Sequence, residues 1–131
     1  MLLDTSGFYC CLDAGDARHH VAVSLLDSAA RRLTHSCVLA ELVALCNARG
    51  LDRRVSLGFI TELTNDASIM VVWIGEEAHR SAVKFLQSRP DKGYSLCDAV
   101  SFLLMRQHGM TEALTTDRHF DQEGFVRLLN P

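Results

Sequence analysis

The sequence predicts an α/β protein, a three-layer α/β/α sandwich on a central, mainly parallel sheet of five strands. Three observations predict it. The strand-like segments are short and continuously apolar, which suits strands covered on both faces better than half-exposed ones. Helical periodicity fills the intervals, and strands alternating with helices imply parallel pairing through right-handed crossovers. At 131 residues the chain has the length of one domain with a core of its own. With no internal repeat, linker or low-complexity segment in it, residues 1–131 read as a single domain.

The first strand is expected at residues 1–3, closed by Asp4. Val21, Ala22, Leu25, Leu26 and Ala29 then fall on one face of a first long helix. A strand at 32–35 leads into a second helix lined by Val38, Leu39, Leu42, Leu45 and Cys46, which Gly50 ends. Asp52 has the character of an N-cap for a third helix, with Val55, Phe59, Ile60 and Leu63 inward. After a strand at 69–73, Glu76 and Glu77 occupy the first turn of a fourth helix, where the macrodipole favours negative charge. That helix is expected to bury Ala78, Ala82, Val83 and Leu86 and to stop at the turn 89–93. Ser95 opens a fifth helix ended by Gly109, and strands at 113–115 and 125–128 complete the sheet. Trp73, ending the third strand, reads as core or interface rather than as a base-stacking platform.

Composition narrows the function classes. A 48% hydrophobic and 22% charged chain is ordinary for a soluble globular protein. A net charge of −3 argues against a protein that coats nucleic acid, which would carry a basic excess. It leaves room for an enzyme acting on nucleic acid, because a bound metal offsets an acidic cluster locally. The N-terminus lacks a basic region and is interrupted by Asp4 and Asp13, unlike a signal peptide. No apolar run is long enough for a membrane span. The five cysteines are odd in number and form no C-x-x-C pair, so they read as reduced thiols in a cytoplasmic protein.

Chemistry concentrates in four acids: Asp4, Glu41, Asp98 and Asp117. Asp4 and Asp117 end apolar runs, while Glu41 lies one turn into the helix that follows residues 32–36 and Asp98 lies in the first turn of the helix opening at Ser95. Ligands of open parallel sheets bind outside the carboxyl ends of the strands. Carboxylates gathered there repel one another unless some take up protons or a cation sits between them. Each acid also has a structural reading. Glu41, on an apolar stripe, could form an internal ion pair with Arg106 or Arg118, since an uncompensated buried carboxylate costs several kcal/mol, to order of magnitude. Ser95-Leu96-Cys97-Asp98 fits a capping box. Asp4 and Asp117 could cap helices beginning at Thr5 and Arg118. Taken jointly, hard oxygen ligands without cysteine point to Mg²⁺ or Mn²⁺ rather than zinc, and to phosphodiester hydrolysis by activated water. Ser6, Thr116 and Asp121 are candidates to orient ligands and water. Arg49, Arg89 and Arg118 are candidates to guide a phosphate backbone, with Arg53, Arg54 and Lys92 as further cations. Among the histidines, His119 beside Asp117 is best placed for a general base, although activated water makes a base unnecessary.

The segments Leu3-Asp4-Thr5-Ser6, Val38-Leu39-Ala40-Glu41, Ser95-Leu96-Cys97-Asp98-Ala99-Val100-Ser101-Phe102 and Thr115-Thr116-Asp117-Arg118-His119-Phe120, with Gly124-Phe125 after them, resemble the successive motifs of PIN-domain ribonucleases. The group most resembled is the VapC toxins of toxin–antitoxin pairs. Cys97 departs from the pattern, which often has threonine before the aspartate. The resemblance implies a parallel sheet flanked by helices and Mg²⁺- or Mn²⁺-dependent endonucleolytic cleavage of RNA. It carries metal-site roles onto Asp4, Glu41, Asp98 and Asp117. It also implies a homodimer and a cognate antitoxin, for whose apolar segment the helices around residues 38–63 are the expected docking surface. Two alternatives share the same motifs: a PIN-like ribonuclease outside a toxin–antitoxin pair, and a non-catalytic RNA- or protein-binding module. Loss of an acid would mark the latter, and all four acids are present.

Overall fold

The computed structural model describes residues 1–130. Five strands form one sheet: β1 (Leu2–Leu3), β2 (Arg32–His35), β3 (Ile69–Val72), β4 (Glu112–Leu114) and β5 (Val126–Arg127). Their order is β3-β2-β1-β4-β5, and every pairing is parallel. Seven helices connect them: α1 (Thr5–Leu12), α2 (His19–Ser28), α3 (Ser36–Ala48), α4 (Arg53–Asn65), α5 (Glu76–Gln87), α6 (Leu96–Gln107) and α7 (His119–Gln122).

Strand alternation sorts the core into two layers. Leu3 of β1 and Leu114 of β4 pack with Phe8, Val38, Leu42 and Leu63 on the side of α1 to α4. Their neighbours Leu2 and Ala113 face the opposite way, with Leu33, onto Ala82, Phe102, Met105 and Phe120 of α5 to α7. The chain lays down β1, β2 and β3 toward one edge, then returns to place β4 and β5 on the other side of β1. The reversal falls between β1 and β4, where an open sheet leaves a crevice at its carboxyl edge.

Helix ends follow local chemistry. Asp52 accepts a hydrogen bond from the Arg54 N–H at 2.8 Å and caps α4. Ser95 and Asp98 make the reciprocal capping box of α6. Gly50 and Gly109, with φ of 72° and 63°, follow α3 and α6 in the left-handed conformation that stops a helix.

Several inward assignments shift. Val21, Val55 and Val83 are 54%, 47% and 37% exposed, whereas Ala22, Ser56 and Ala82 beside them are buried. In each case the buried line passes one residue to the side, because the face of a helix that meets the sheet is set by its docking angle. Trp73 lies beyond the end of β3, an edge strand, and is 65% exposed rather than in the core. Gly7 of α1 permits the tightest approach in the fold. A Cβ there would stand 2.0 Å from the Leu114 carbonyl oxygen, so α1 lies directly on the end of β4.

Candidate active site

Asp4, immediately after β1, holds the N-cap position of α1 but does not cap it with its side chain. Its Oδ2 instead accepts hydrogen bonds from the Thr115 hydroxyl at 2.7 Å and the Ser6 hydroxyl at 3.0 Å. Those two hydroxyls are 3.0 Å apart, and the Thr115 oxygen also accepts the Asp117 N–H at 3.0 Å. The close approach at Gly7 brings the residues after β1 and β4 into this one network. Thr116 joins through its backbone N–H, which donates to the Ser6 oxygen at 2.9 Å. The hydroxyl engaged on this stretch is therefore that of buried Thr115, the residue that continues the strand.

Asp98, in the first turn of α6, accepts the Ser95 N–H at 2.9 Å through Oδ2. The same oxygen lies 2.9 Å from Nδ1 of His119, which is also 3.4 Å from Oδ2 of Asp117. Asp117 accepts the His119 N–H at 2.9 Å through Oδ1, fixing the turn into α7. One ligand atom from each of Asp98, Asp117 and His119 falls within 4.8 Å of the others. Sequence reasoning gave His119 only a secondary place. Its sole signal is a position two residues after an aspartate at a helix start, from which a ring can turn back.

Burial raises the Asp4 carboxyl to about 6, against the lowering effect of the Thr115 and Ser6 hydroxyls. The charge of Asp98 adds to the rise. Among the described residues no cation pairs with Asp4. Burial likewise drives the Cys97 thiol upward, and the charges of Glu41, Asp4 and Asp98 push the same way. Three acids from three separate segments thus bear on one buried sulfur.

Glu41 is exposed and enters no ion pair among the described residues. The expected partner Arg106 binds Glu123 at 2.7 Å. The buried line of α3 is Val38, Leu39, Leu42 and Cys46. At 3.6 residues per turn Glu41 stands roughly 115° from the centre of that line. It therefore sits on the flank of the helix, and the cost of burying a lone carboxylate does not arise.

The remaining candidates divide. Asp121 is drawn to Arg127 at 3.0 Å. Arg89 is held by Glu123 at 2.9 Å, above the Phe85 ring. Arg49 lies over the Tyr9 ring at 4.9 Å. Arg118, next to Asp117, is exposed and forms no ion pair among the described residues.

The donor set fits a divalent cation. A buried carboxyl without a cationic partner and two further carboxylates around one imidazole leave positive charge as the missing component. The sequence and the fold are similar to those of known proteins. The 23S rRNA-specific endonuclease VapC20 from two strains of Mycobacterium tuberculosis is 30% identical over 129 residues, spanning 98% of this chain and 97% of that protein. The crystal structure of M. tuberculosis VapC20, described as a Sarcin-Ricin loop cleaving toxin, aligns with a TM-score of 0.86 over 99% of this chain and 98% of that one. The PIN domain family model matches residues 1–125, which include β1 to β4 and all four acids, and the chain belongs to that family.

Proposed function

We propose that residues 1–131 form one nuclease domain that hydrolyses RNA phosphodiester bonds, as the toxin of a VapBC-type pair. The observation that carries this reading is the meeting of Asp98, Asp117 and His119 within 4.8 Å at the β1–β4 crevice, beside buried Asp4. The relatives named as rRNA endonucleases support the substrate class.

Asp4, Asp98 and Asp117 would hold Mg²⁺ or Mn²⁺, with Glu41 at the rim of the crevice. When bound, such an ion offsets carboxylate repulsion, polarises the phosphodiester and makes water a better nucleophile. Ser6 and Thr115 hold the Asp4 carboxylate in one orientation through its Oδ2. The Ser95 N–H does the same for Asp98. Exposed Arg118, next to Asp117, would meet the RNA backbone, while Arg49 over Tyr9 and Arg89 paired with Glu123 are weaker candidates. The physiological assembly is a homodimer held in check by a cognate antitoxin, acting in the cytoplasm. No described helix is long and apolar enough to cross a membrane.

The test is cleavage of structured and single-stranded RNAs, a sarcin-ricin stem-loop among them, with Mg²⁺ or Mn²⁺ and an EDTA control. The Asp98→Asn variant keeps an oxygen for the Ser95 N–H, so it should fold while its cleavage falls by roughly a hundred- to a thousandfold. Undiminished cleavage by the variant would remove Asp98 from the site.

A further inference from the structure

Resting on the reading of this crevice as a metal site, we propose that His119 is itself a ligand of the ion. The site would then favour Mn²⁺ over Mg²⁺. Nδ1 of His119 stands 2.9 Å from Asp98 Oδ2 and 3.4 Å from Asp117 Oδ2. Neighbouring ligand atoms around an octahedral ion with bonds of about 2.1 Å lie about 3 Å apart. Both separations are near that value, whereas 3.4 Å is long for a hydrogen bond. The backbone of His119 and one edge of its ring are each restrained. Its backbone N–H is fixed on Asp117 Oδ1 at 2.9 Å, and Tyr94 packs edge-to-face against it with centroids 5.1 Å apart. Three donors from two segments therefore converge within 4.8 Å.

The nitrogen donor decides the selectivity. Carboxylate oxygens accept either ion, but Mg²⁺ strongly favours oxygen and retains its waters. An imidazole nitrogen raises affinity along the transition-metal series, in which Mn²⁺ is the weakest member and Mg²⁺ has no place. Ligation through Nδ1 leaves the ring proton on Nε2, so a neutral ring changes tautomer without net loss of a proton. The alternative role for His119 is that of a hydrogen-bond donor orienting Asp98.

Pulsed EPR of the full chain loaded with Mn²⁺ separates the two. A directly bound imidazole gives ¹⁴N modulation on the manganese signal in the wild-type protein. That modulation should vanish in both His119→Gln and His119→Asn. Competition between Mn²⁺ and Mg²⁺ should show the affinity ratio falling on the order of tenfold in each variant. His119→Asn is the sharper case, since its amide N–H occupies nearly the place of Nδ1–H and can still donate to Asp98. The wild-type spectrum tests the proposal even if a variant fails to fold. Manganese that binds without ¹⁴N modulation overturns it, as does modulation that persists in folded variants, or a wild-type ion ratio in His119→Asn. In those outcomes the metal site itself stands, provided that Asp98→Asn weakens binding. Absence of any Mn²⁺ binding overturns both readings.

Discussion

Thr115 makes more of the site than its sequence position suggests. Its hydroxyl donates to Asp4, meets Ser6 and accepts the Asp117 N–H, so one buried oxygen ties β1, α1 and the β4–α7 turn together. Thr115→Val keeps the shape and removes that oxygen, leaving the Asp117 N–H without its acceptor. The expected cost is about 1–3 kcal/mol in denaturant unfolding, with cleavage reduced at least as far as in Ser6→Ala. His35 offers a second test at this scale. Its ring is fully buried, Nε2 lies 2.8 Å from the Ser101 hydroxyl, and burial lowers its pKa from 6.5 to about 4. Above pH 6.5 the ring is neutral folded or unfolded, and its protonation does not affect stability. As pH falls from 6.5 to about 4 the unfolded chain binds a proton that the folded chain refuses, so stability declines and then levels off. The full effect is about 3 kcal/mol, to order of magnitude. Asp4 acts in the opposite sense in the metal-free protein, because its raised folded pKa favours the folded state as pH falls from about 6 toward 3.8. Urea titrations of wild type and His35→Gln across pH 7.5 to 4.5 therefore isolate His35 by difference. Parallel curves would show that the ring does not resist protonation.

Helix α1 is the element that the sequence announced least. Residues 5–12 contain two adjacent cysteines and a glycine and lack a hydrogen-bonded side-chain cap, and their one local helix signal is Asp4 at the cap position. Packing, not propensity, makes it: Gly7 lies on the Leu114 carbonyl, while Phe8 is fully buried and Tyr9 and Cys10 nearly so. Gly7→Ala has no flexible neighbour to displace, since the obstructing atom is backbone. Thermal unfolding should show a loss of about 1–3 kcal/mol. Cleavage should fall as well, because moving α1 carries the Ser6 hydroxyl away from Thr115. An unchanged melting temperature would mean that α1 is not seated on β4. By contrast, α4, α5 and α6 were legible in outline from their caps and first-turn charges, which act within a few residues. The inward faces of α2, α4 and α5 were less so. The displacement of Val21, Val55 and Val83 to the surface depends on how each helix docks, which periodicity alone does not specify.

At the scale of the molecule, a cation shared by carboxylates from three segments would couple binding to folding. Mn²⁺ at a hundred times Kd should stabilise the fold by about 2.7 kcal/mol and so raise the melting temperature, and EDTA should reverse it. In Asp98→Asn the increment should shrink toward zero, and a shift of wild-type size there would place the ion elsewhere. The sequence by itself determined the alternation of strands and helices, the positions of the main caps and the order of the four acids along the chain. Those are local properties, written in hydrophobic period and in hydrogen bonds spanning three or four residues. Only the tertiary structure decided that β1 lies between β2 and β4 and that Asp4 therefore accepts the hydroxyl of a residue 111 positions away. It alone set Glu41 on the flank of α3 and turned the His119 ring between two carboxylates. Strand order and side-chain direction depend on contacts between distant segments, and no local pattern carries that information.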